Sequence, residues 1–192
     1  MAVNILRYPT DADWERAYDF ALRTIGRRYA GGGVSDKWKY KILDAGHSPI
    51  RTLMFTIEMV DIPYYVSVHF VRHKYGVEHY VQSQRNDRQS NYDRTKAPQD
   101  EPVTHTMDIN AQELIFMAGM RLCGQAYHTT QLWMLEIVRE VLKTNPEFKP
   151  FLVPKCLQRG GVCNEFEPCG INGICGADAC GADANAKAKI IP

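Results

Sequence analysis

Two basic clusters stand in the stretch His69–Arg94, which reads HFVRHKYGVEHYVQSQRNDRQSNYDR. The first cluster is Arg72-His73-Lys74, and the second, after eight intervening residues, is Ser83-Gln84-Arg85. From Arg72 to Lys96 there are six Lys or Arg and three acids, whereas the formal net charge of the whole chain is only +1. The excess is therefore local, and it predicts an anion-binding segment.

The residue types in the two clusters suit a nucleotide, or two nucleotides side by side. Arg72 can hold a phosphate through two parallel hydrogen bonds, and Lys74 can add a point charge. Arg85 follows a hydroxyl and an amide, which suit a sugar or a base. The alternative is a solvated loop with surface ion pairs, since charge runs are common. The apolar residues before Arg72 favour the binding site, because they indicate that a core element delivers the charges.

The segments upstream of the clusters have strand and helix patterns. Residues Tyr64–Val71 are apolar nearly all round and predict a buried helix that Pro63 opens. Apolar residues alternate between Ile50 and Val60, which predicts a strand with one buried face. That face holds Leu53, Phe55, Ile57 and Met59.

Three further helical segments flank this centre. The first begins at Thr10 or Asp11 and ends near Tyr29, and the second covers Asp36–Ala45 with Ser35 as its cap and Gly46 as its terminator. The third runs from Gln112 to Lys143 and is stopped by Asn145-Pro146, with Gly119 and Gly124 as points of bending or close packing. Between them, residues 86–102 predict a loop and residues 103–107 a short strand.

Composition limits the class of protein. An apolar fraction of 45% and a charged fraction of 23% are typical of a soluble globular protein. No apolar run approaches the length of a membrane span, and the N-terminus turns acidic too early for a signal peptide, so we expect a cytoplasmic protein without a membrane partner. The near-neutral net charge gives no reason to expect a nucleic-acid partner.

The C-terminal quarter differs from the rest of the chain. We predict a folded domain over residues 1–150 and a Cys/Gly/Ala-rich extension, partly disordered, over residues 151–192. Five of the six cysteines lie in this extension, without a Cys-x-x-Cys pair, and the histidines lack a metal-binding spacing. We therefore predict no metal site. A metal held in the Gly-rich segment by Cys156, Cys163 and Cys169 is the alternative.

The two basic clusters also resemble the signature of the flavin-dependent thymidylate synthases, Arg-His-Arg followed after seven or eight residues by Ser-x-Arg. Two supporting matches occur in the same order along the chain. Gly46-His47-Ser48-Pro49 precedes the predicted strand, and the long helical segment holds Met120-Arg121-Leu122, Gln125-Ala126 and Glu136-Ile137-Val138. The resemblance covers about Tyr8 to Lys143.

This resemblance implies an α/β fold of the α+β kind, with a central, mostly antiparallel sheet flanked by long helices. It implies a homotetramer that binds FAD where subunits meet. The implied reaction is the methylation of dUMP to dTMP, with methylenetetrahydrofolate as the carbon donor and NADPH as the reductant.

The resemblance also implies roles for particular residues. The FAD-binding residues would be Ser48, Thr52, Arg72, His73 and Lys74. The dUMP-binding residues would be His69, Arg72, Ser83, Gln84 and Arg85. Gln131 stands where the family has an arginine that contacts the uracil, so Arg72 and Gln131 are the catalytic candidates.

Several positions depart from the family pattern. Lys74 replaces the second arginine of the signature, Val81 replaces a polar residue, and Gln131 replaces a cation that would stabilise developing negative charge. These departures leave three alternatives open. The chain is then a flavin-dependent dUMP hydroxymethylase, a catalytically impaired homologue, or a non-enzymatic protein that binds a nucleotide or a nucleic acid.

Overall fold

Helices and antiparallel strands alternate along the chain in a computed structural model that describes residues 1–89 and 92–170. The strands of the described part are β1 (Ala2–Arg7), β2 (Met54–Pro63), β3 (Val77–Val81) and β4 (Pro102–Asn110). Its α-helices are α1 (Asp11–Arg23), α2 (Asp36–Ala45), α3 (Tyr64–Val71), α4 (Ala111–Arg121), α5 (His128–Thr144) and α6 (Lys155–Gln158). The predicted α+β fold with a central antiparallel sheet is confirmed.

The four strands form one sheet in the order β1-β2-β4-β3, and every neighbouring pair is antiparallel. The buried face of β2 was predicted correctly. Phe55, Ile57 and Met59 are fully buried and stand opposite Ile109, Met107 and His105 of β4. Burial of this apolar row against the helices supplies the main driving force for folding. His105 is the polar member of the row.

The bounds of β2 and β4 differ from the prediction. β2 starts at Met54 rather than Ile50, because Ser48–Thr52 forms a 3-10 turn with Pro49 in its first positions. Proline fixes its own φ near the helical value and has no amide to donate to a ladder, so it favours this turn over a strand. β4 is longer than predicted and ends at Asn110, whose side chain accepts a hydrogen bond from the Glu113 amide and caps α4.

Two helix boundaries were wrong. α1 ends at Arg23 rather than near Tyr29, because Gly26 has a φ of +72° and the Arg27 amide closes back onto the Leu22 carbonyl. The predicted long helix is two helices, α4 and α5, separated by the segment 122–127. Gly124 lies inside this break, which we call the α4–α5 elbow.

Helix α3 is less buried than its apolar sequence predicted. Val66, Ser67 and Phe70 pack inside, whereas Val68 and Val71 are 43% and 39% exposed. The strands β1 and β3 were not predicted from the sequence. β3 pairs with β4 from Val77 to Val81, so it holds the two basic clusters at opposite ends of one strand.

The segment after α5 returns to the core. Phe151, Leu152, Val153 and Leu157 are buried, and the last of these belongs to α6. The domain boundary at residue 150 stays a prediction, and residues 171–192, with Cys175 and Cys180, lie outside the described residues. Within the described part, no helix combines the length and the apolar character that crossing a bilayer requires.

Candidate functional site

A cleft of about 550 Å³ opens between the end of α3 and the end of α4. Arg72 is the C-cap residue of α3, and Arg121 is the last residue of α4. Both side chains line this α3–α4 cleft, together with Lys74, Tyr75 and Phe116. The fold therefore gathers three cations at one place from two helix ends, although the chain as a whole is almost neutral.

A hydrogen-bonded chain fixes the floor of the cleft. The Nε of Arg121 donates to His73 Nε2 at 3.1 Å, and its Nη2 donates to the His69 carbonyl at 2.7 Å. Because His73 Nε2 accepts, the imidazole proton is on Nδ1, which donates to Glu113 Oε1 at 2.7 Å. Glu113 thereby holds His73, and His73 holds the Arg121 guanidinium in one orientation.

Two carboxylates, Glu113 and Glu165, line the cleft as well, but neither forms an ion pair with its cations. Burial lowers the pKa of Arg121, and the charge of Arg72 lowers it further. Across residues 1–89 and 92–170, no carboxylate lies within ion-pair distance of Arg72, Lys74 or Arg121. A partly buried guanidinium that has a second guanidinium near it and no carboxylate partner is stabilised by an anion such as a phosphate.

The predicted FAD contacts from the first half of the chain lie beside this cleft rather than in it. Thr52 belongs to the Ser48–Thr52 turn, where its Oγ1 donates to the Pro49 carbonyl at 2.8 Å, and Ser48 is exposed. Their neighbour Arg51 lines an adjoining groove of about 550 Å³, which shares Tyr75 and Phe116 with the cleft. The groove thus extends the cleft towards the turn, and the roles of Ser48 and Thr52 stay predictions.

The second basic cluster lies apart from the first. Ser83, Gln84 and Arg85 follow β3, and none of them lines the α3–α4 cleft. The Nε and Nη2 atoms of Arg85 donate to the carboxylate of Asp87 at 2.9 and 2.6 Å, and both side chains are largely exposed. A single chain therefore does not bring the two clusters to one cavity, and the substrate role of the second stays a prediction.

His69 faces a third hollow, of about 520 Å³, which Tyr65, Gln99, Asp100 and Tyr127 also line. Its Nδ1 is 2.7 Å from the hydroxyl of Thr130 on α5. Burial lowers the pKa of His69, and the charges of Arg121 and Arg72 add to the effect. The neutral imidazole is therefore favoured. The contact of the His69 carbonyl with Arg121 connects this hollow to the cleft.

Gln131 has a local structural function in this chain. Its Nε2 donates to the carbonyls of Cys123 and Ala126, both at 2.8 Å, and so ties α5 to the α4–α5 elbow. Gln131 lines a further cavity of about 580 Å³, together with four cysteines. The predicted contact with uracil stays a prediction, and it would have to be made with this amide nitrogen already engaged.

Sequence reasoning assigned no role to Arg121, Glu113 or Tyr75. Arg121 had been placed in the middle of a continuous helix, and its position at the mouth of a cleft depends on the break that follows it. The signal that could have revealed the break is the elbow sequence itself, in which Gly124 and Gln125 interrupt the apolar period.

Comparison with known proteins supports the fold but gives no sequence-level family. No family model matches the chain, and no curated protein matches it. A solved structure of Thymidylate Synthase X from Helicobacter pylori, with FAD and dUMP, superposes with a TM-score of 0.60 at 14% identity, over 82% of this chain and 99% of that one. A second structure of flavin dependent thymidylate synthase ThyX from the same organism, also complexed with FAD and dUMP, gives 0.57 at 15%, over 76% and 96%. At these identities the likeness shows a shared fold.

Proposed function

We propose that this chain is a flavin-dependent thymidylate synthase, which methylates dUMP to dTMP with methylenetetrahydrofolate as the carbon donor and NADPH as the reductant. The observation that carries the proposal is the group of three cations, Arg72, Lys74 and Arg121, that line one cleft and form no ion pair within the described residues. It occurs in a fold whose solved Helicobacter pylori representatives hold FAD and dUMP. Each of those two ligands carries phosphate.

The residues of the cleft fit a flavin nucleotide. Arg72, Lys74 and Arg121 would bind its phosphates, since a guanidinium pairs with phosphate oxygens through parallel hydrogen bonds. Tyr75 is 87% exposed, so its ring is free to pack against a planar ring system. Phe116 is 43% exposed but already contacts His73 and Lys155, so it offers only part of its surface. The bound flavin would supply the redox chemistry, and the protein would supply orientation and charge.

His73 and Glu113 act by positioning. The carboxylate of Glu113 fixes the Nδ1–H tautomer of His73, and the unprotonated Nε2 of His73 then aligns Arg121. A guanidinium that is held before ligand binding loses less conformational entropy when it binds an anion. This arrangement supports phosphate binding without requiring His73 to carry charge.

The position of Arg85 favours a site shared between subunits. The dUMP contacts that we propose for Ser83, Gln84 and Arg85 lie outside the cleft of their own chain. In the proposed homotetramer, the second cluster of one subunit would reach the Arg72 cleft of a neighbour. The ion pair of Arg85 with Asp87 is exposed and weak, so a phosphate can replace the carboxylate at little cost.

The product of the reaction tests the proposal. The full chain, loaded with FAD, is incubated with dUMP, methylenetetrahydrofolate and NADPH, and the nucleotide product is identified by mass. We expect dTMP, and we expect none when NADPH is left out. A chain that binds FAD and dUMP but yields no altered nucleotide under these conditions would contradict the proposed reaction.

One observation supports a second candidate reaction, the hydroxymethylation of dUMP. The nitrogen of Gln131 is bound to two backbone carbonyls, so this residue does not replace the charge of an arginine at the uracil. The loss of such a preorganised donor costs roughly a hundredfold in rate. The same assay separates the outcomes, because hydroxymethyl-dUMP is heavier than dTMP by one oxygen and an impaired homologue gives neither product.

A further inference from the structure

Four cysteines from distant parts of the chain line one cavity of about 580 Å³. Cys123 lies in the α4–α5 elbow, Cys156 lies in α6, and Cys163 and Cys169 follow in the segment after α6. All four thiols are free. The sequence placed Cys123 in a helix, far from the other three, so only the fold reveals this group. We call it the cysteine cavity.

The backbone around the cysteine cavity is held in place by side-chain amides. Gln131 binds the carbonyl of Cys123, and Gln125 Nε2 donates to the Glu167 carbonyl at 2.7 Å. Gln158 Nε2 lies 2.8 to 3.0 Å from the carbonyls of Ile115, Phe151 and Val153. The segment after α6 is therefore fixed against the elbow, and its cysteines are presented to the cavity.

Four cysteines that line one cavity suit a bound metal centre. Thiolates bind metals well, and a bound cation offsets the repulsion between several thiolates in one cavity. Lys155 and Arg159 also line the cavity. Their positive charge would balance a centre that remains anionic after four thiolates have bound.

The arrangement of the cysteines favours a cluster over a single ion. A zinc ion requires four sulfur atoms to converge at about 2.3 Å from one point. In residues 1–89 and 92–170, no three His, Cys, Asp or Glu side chains are already grouped tightly enough to hold one ion. All four cysteines nevertheless line the same cavity, together with apolar residues such as Leu122, Leu135 and Val162. An iron–sulfur cluster holds its four thiolate ligands farther apart than a single ion does, and an apolar lining suits it.

We infer that Cys123, Cys156, Cys163 and Cys169 bind an iron–sulfur cluster with four thiolate ligands. This site differs from the prediction of no metal made from cysteine spacing, and it adds the elbow residue Cys123 to the alternative that spacing left open. The inference does not depend on the proposed function. The cysteine cavity nevertheless borders the α3–α4 cleft, because Phe116, Met120, Cys123 and Glu165 line both.

Metal and sulfide analysis of the full chain tests this inference. The protein is purified without oxygen from iron-supplied cells, and iron, acid-labile sulfide and zinc are measured, because flavin absorption would mask a cluster in the visible spectrum. We expect iron and sulfide in equal amounts, at about two or about four of each per chain. Stoichiometric zinc without sulfide, or a chain that holds no metal, would overturn the inference.

Substitutions then assign the ligands. Cys123→Ser and Cys163→Ser should each lose most of the iron and sulfide. The control Val162→Ala, which changes the lining without removing a ligand atom, should keep them. Far-UV circular dichroism checks that each variant is folded. If a serine variant misfolds, resonance Raman bands of iron–sulfur stretching still identify the cluster in the unmodified chain. Folded serine variants that retain full iron and sulfide would refute this ligand set.

Discussion

His105 lies fully buried in the middle of β4, between apolar neighbours on the same face of the sheet. Its Nδ1 is 3.0 Å from the hydroxyl of Ser67, and its Nε2 is 2.9 Å from Nδ1 of His79. The Nε2 of His79 contacts the carbonyl of His73 at 3.0 Å and therefore donates to it. When both imidazoles are neutral, Ser67 donates to His105, His105 donates to His79, and His79 donates to the His73 carbonyl. Every ring nitrogen then has a partner, and the core is connected to the floor of the cleft.

The hydrogen-bonded chain through His105 and His79 predicts that the core loses stability in acid. Burial, aided by His79, lowers the pKa of His105 from 6.5 to about 4. The unfolded polypeptide binds the proton more readily than the folded one, so the free energy of unfolding falls as the pH drops from about 6.5 to about 4. Below about pH 4, His105 causes no further loss. The loss is about 3 kcal/mol. Chemical denaturation at a series of pH values measures it.

Two variants separate titration from hydrogen bonding. His105→Gln removes the titrating group, so it should flatten the pH dependence of the unfolding free energy between about 6.5 and about 4. Ser67→Ala removes one hydrogen bond but keeps the imidazole, so it should lower stability at every pH while preserving the steep acid loss. An unchanged slope in His105→Gln would show that another group controls the acid response.

Arg85 and Arg88 form a matched pair for testing the second basic cluster. Both guanidinium groups are mostly exposed, and both approach the carboxylate of Asp87. If Arg85 binds the dUMP phosphate, Arg85→Ala should weaken dUMP binding roughly tenfold or more, the cost of a charge-assisted hydrogen bond. Arg88→Ala should change it little. Calorimetric titration of the FAD-loaded protein measures both, and equal affinities in the two variants would remove Arg85 from the site.

The turn that leads into β3 depends on Gly76. This residue has a φ of +76°, its carbonyl accepts from the Asn110 amide at 2.9 Å, and an added Cβ would lie 2.9 Å from Cγ of Asn110. Asn110 caps α4, so crowding at Gly76 would disturb the helix that carries Glu113 and Arg121. The turn and the cleft are therefore structurally connected.

Gly76→Ala tests this connection. The left-handed backbone alone costs an alanine roughly 1 kcal/mol. Gly26→Ala is the matched control, because Gly26 has a φ of +72° with nothing near an added Cβ. We expect Gly76→Ala to lower the free energy of unfolding by at least about 1 kcal/mol more than the control does. Equal losses would mean that Asn110 moves aside freely.

Among the helices and strands, the sequence predicted those features that short-range patterns determine. The bounds of α2, from the Ser35 cap to the Gly46 terminator, and the buried face of β2 were correct, because both follow from short-range capping and periodicity. β1 and β3 were missed, since each is defined by its neighbour in the sheet rather than by alternation of its own. The α4–α5 elbow was missed because the interruption at Gly124 and Gln125 is short and the apolar spacing resumes in phase after it.

At the scale of the whole molecule, the site could be predicted only in part. The first basic cluster does line a cleft, which its position after an apolar helix indicated. Arg121 and Cys123 reach their sites through long-range packing, which no sequence period encodes. The separation of Arg72 from Arg85 also lies beyond sequence reasoning, because a spacing along the chain does not say which part of the folded surface a side chain reaches.

A mixture of variants tests the shared site. Arg72→Ala and Arg85→Ala should each be inactive as pure proteins. If each site combines Arg72 of one subunit with Arg85 of another, oligomers formed by co-expression of the two variants should contain some sites with both arginines and recover part of the activity. Sites confined to one chain would give no recovery. The dTMP-forming assay, applied to the purified mixed oligomer, measures the result.

The proposed binding of FAD in the α3–α4 cleft can be tested directly. The most direct measurement is the flavin released from the purified, FAD-incubated protein and quantified by fluorescence, together with the absorption spectrum of the bound flavin before and after dUMP is added. We predict stoichiometric FAD, a spectrum that shifts with dUMP, loss of flavin in Arg72→Ala, and retention in Arg88→Ala. A protein that takes up no FAD, or an Arg72→Ala variant that holds as much FAD as the unmodified chain, would contradict a flavin site in this cleft.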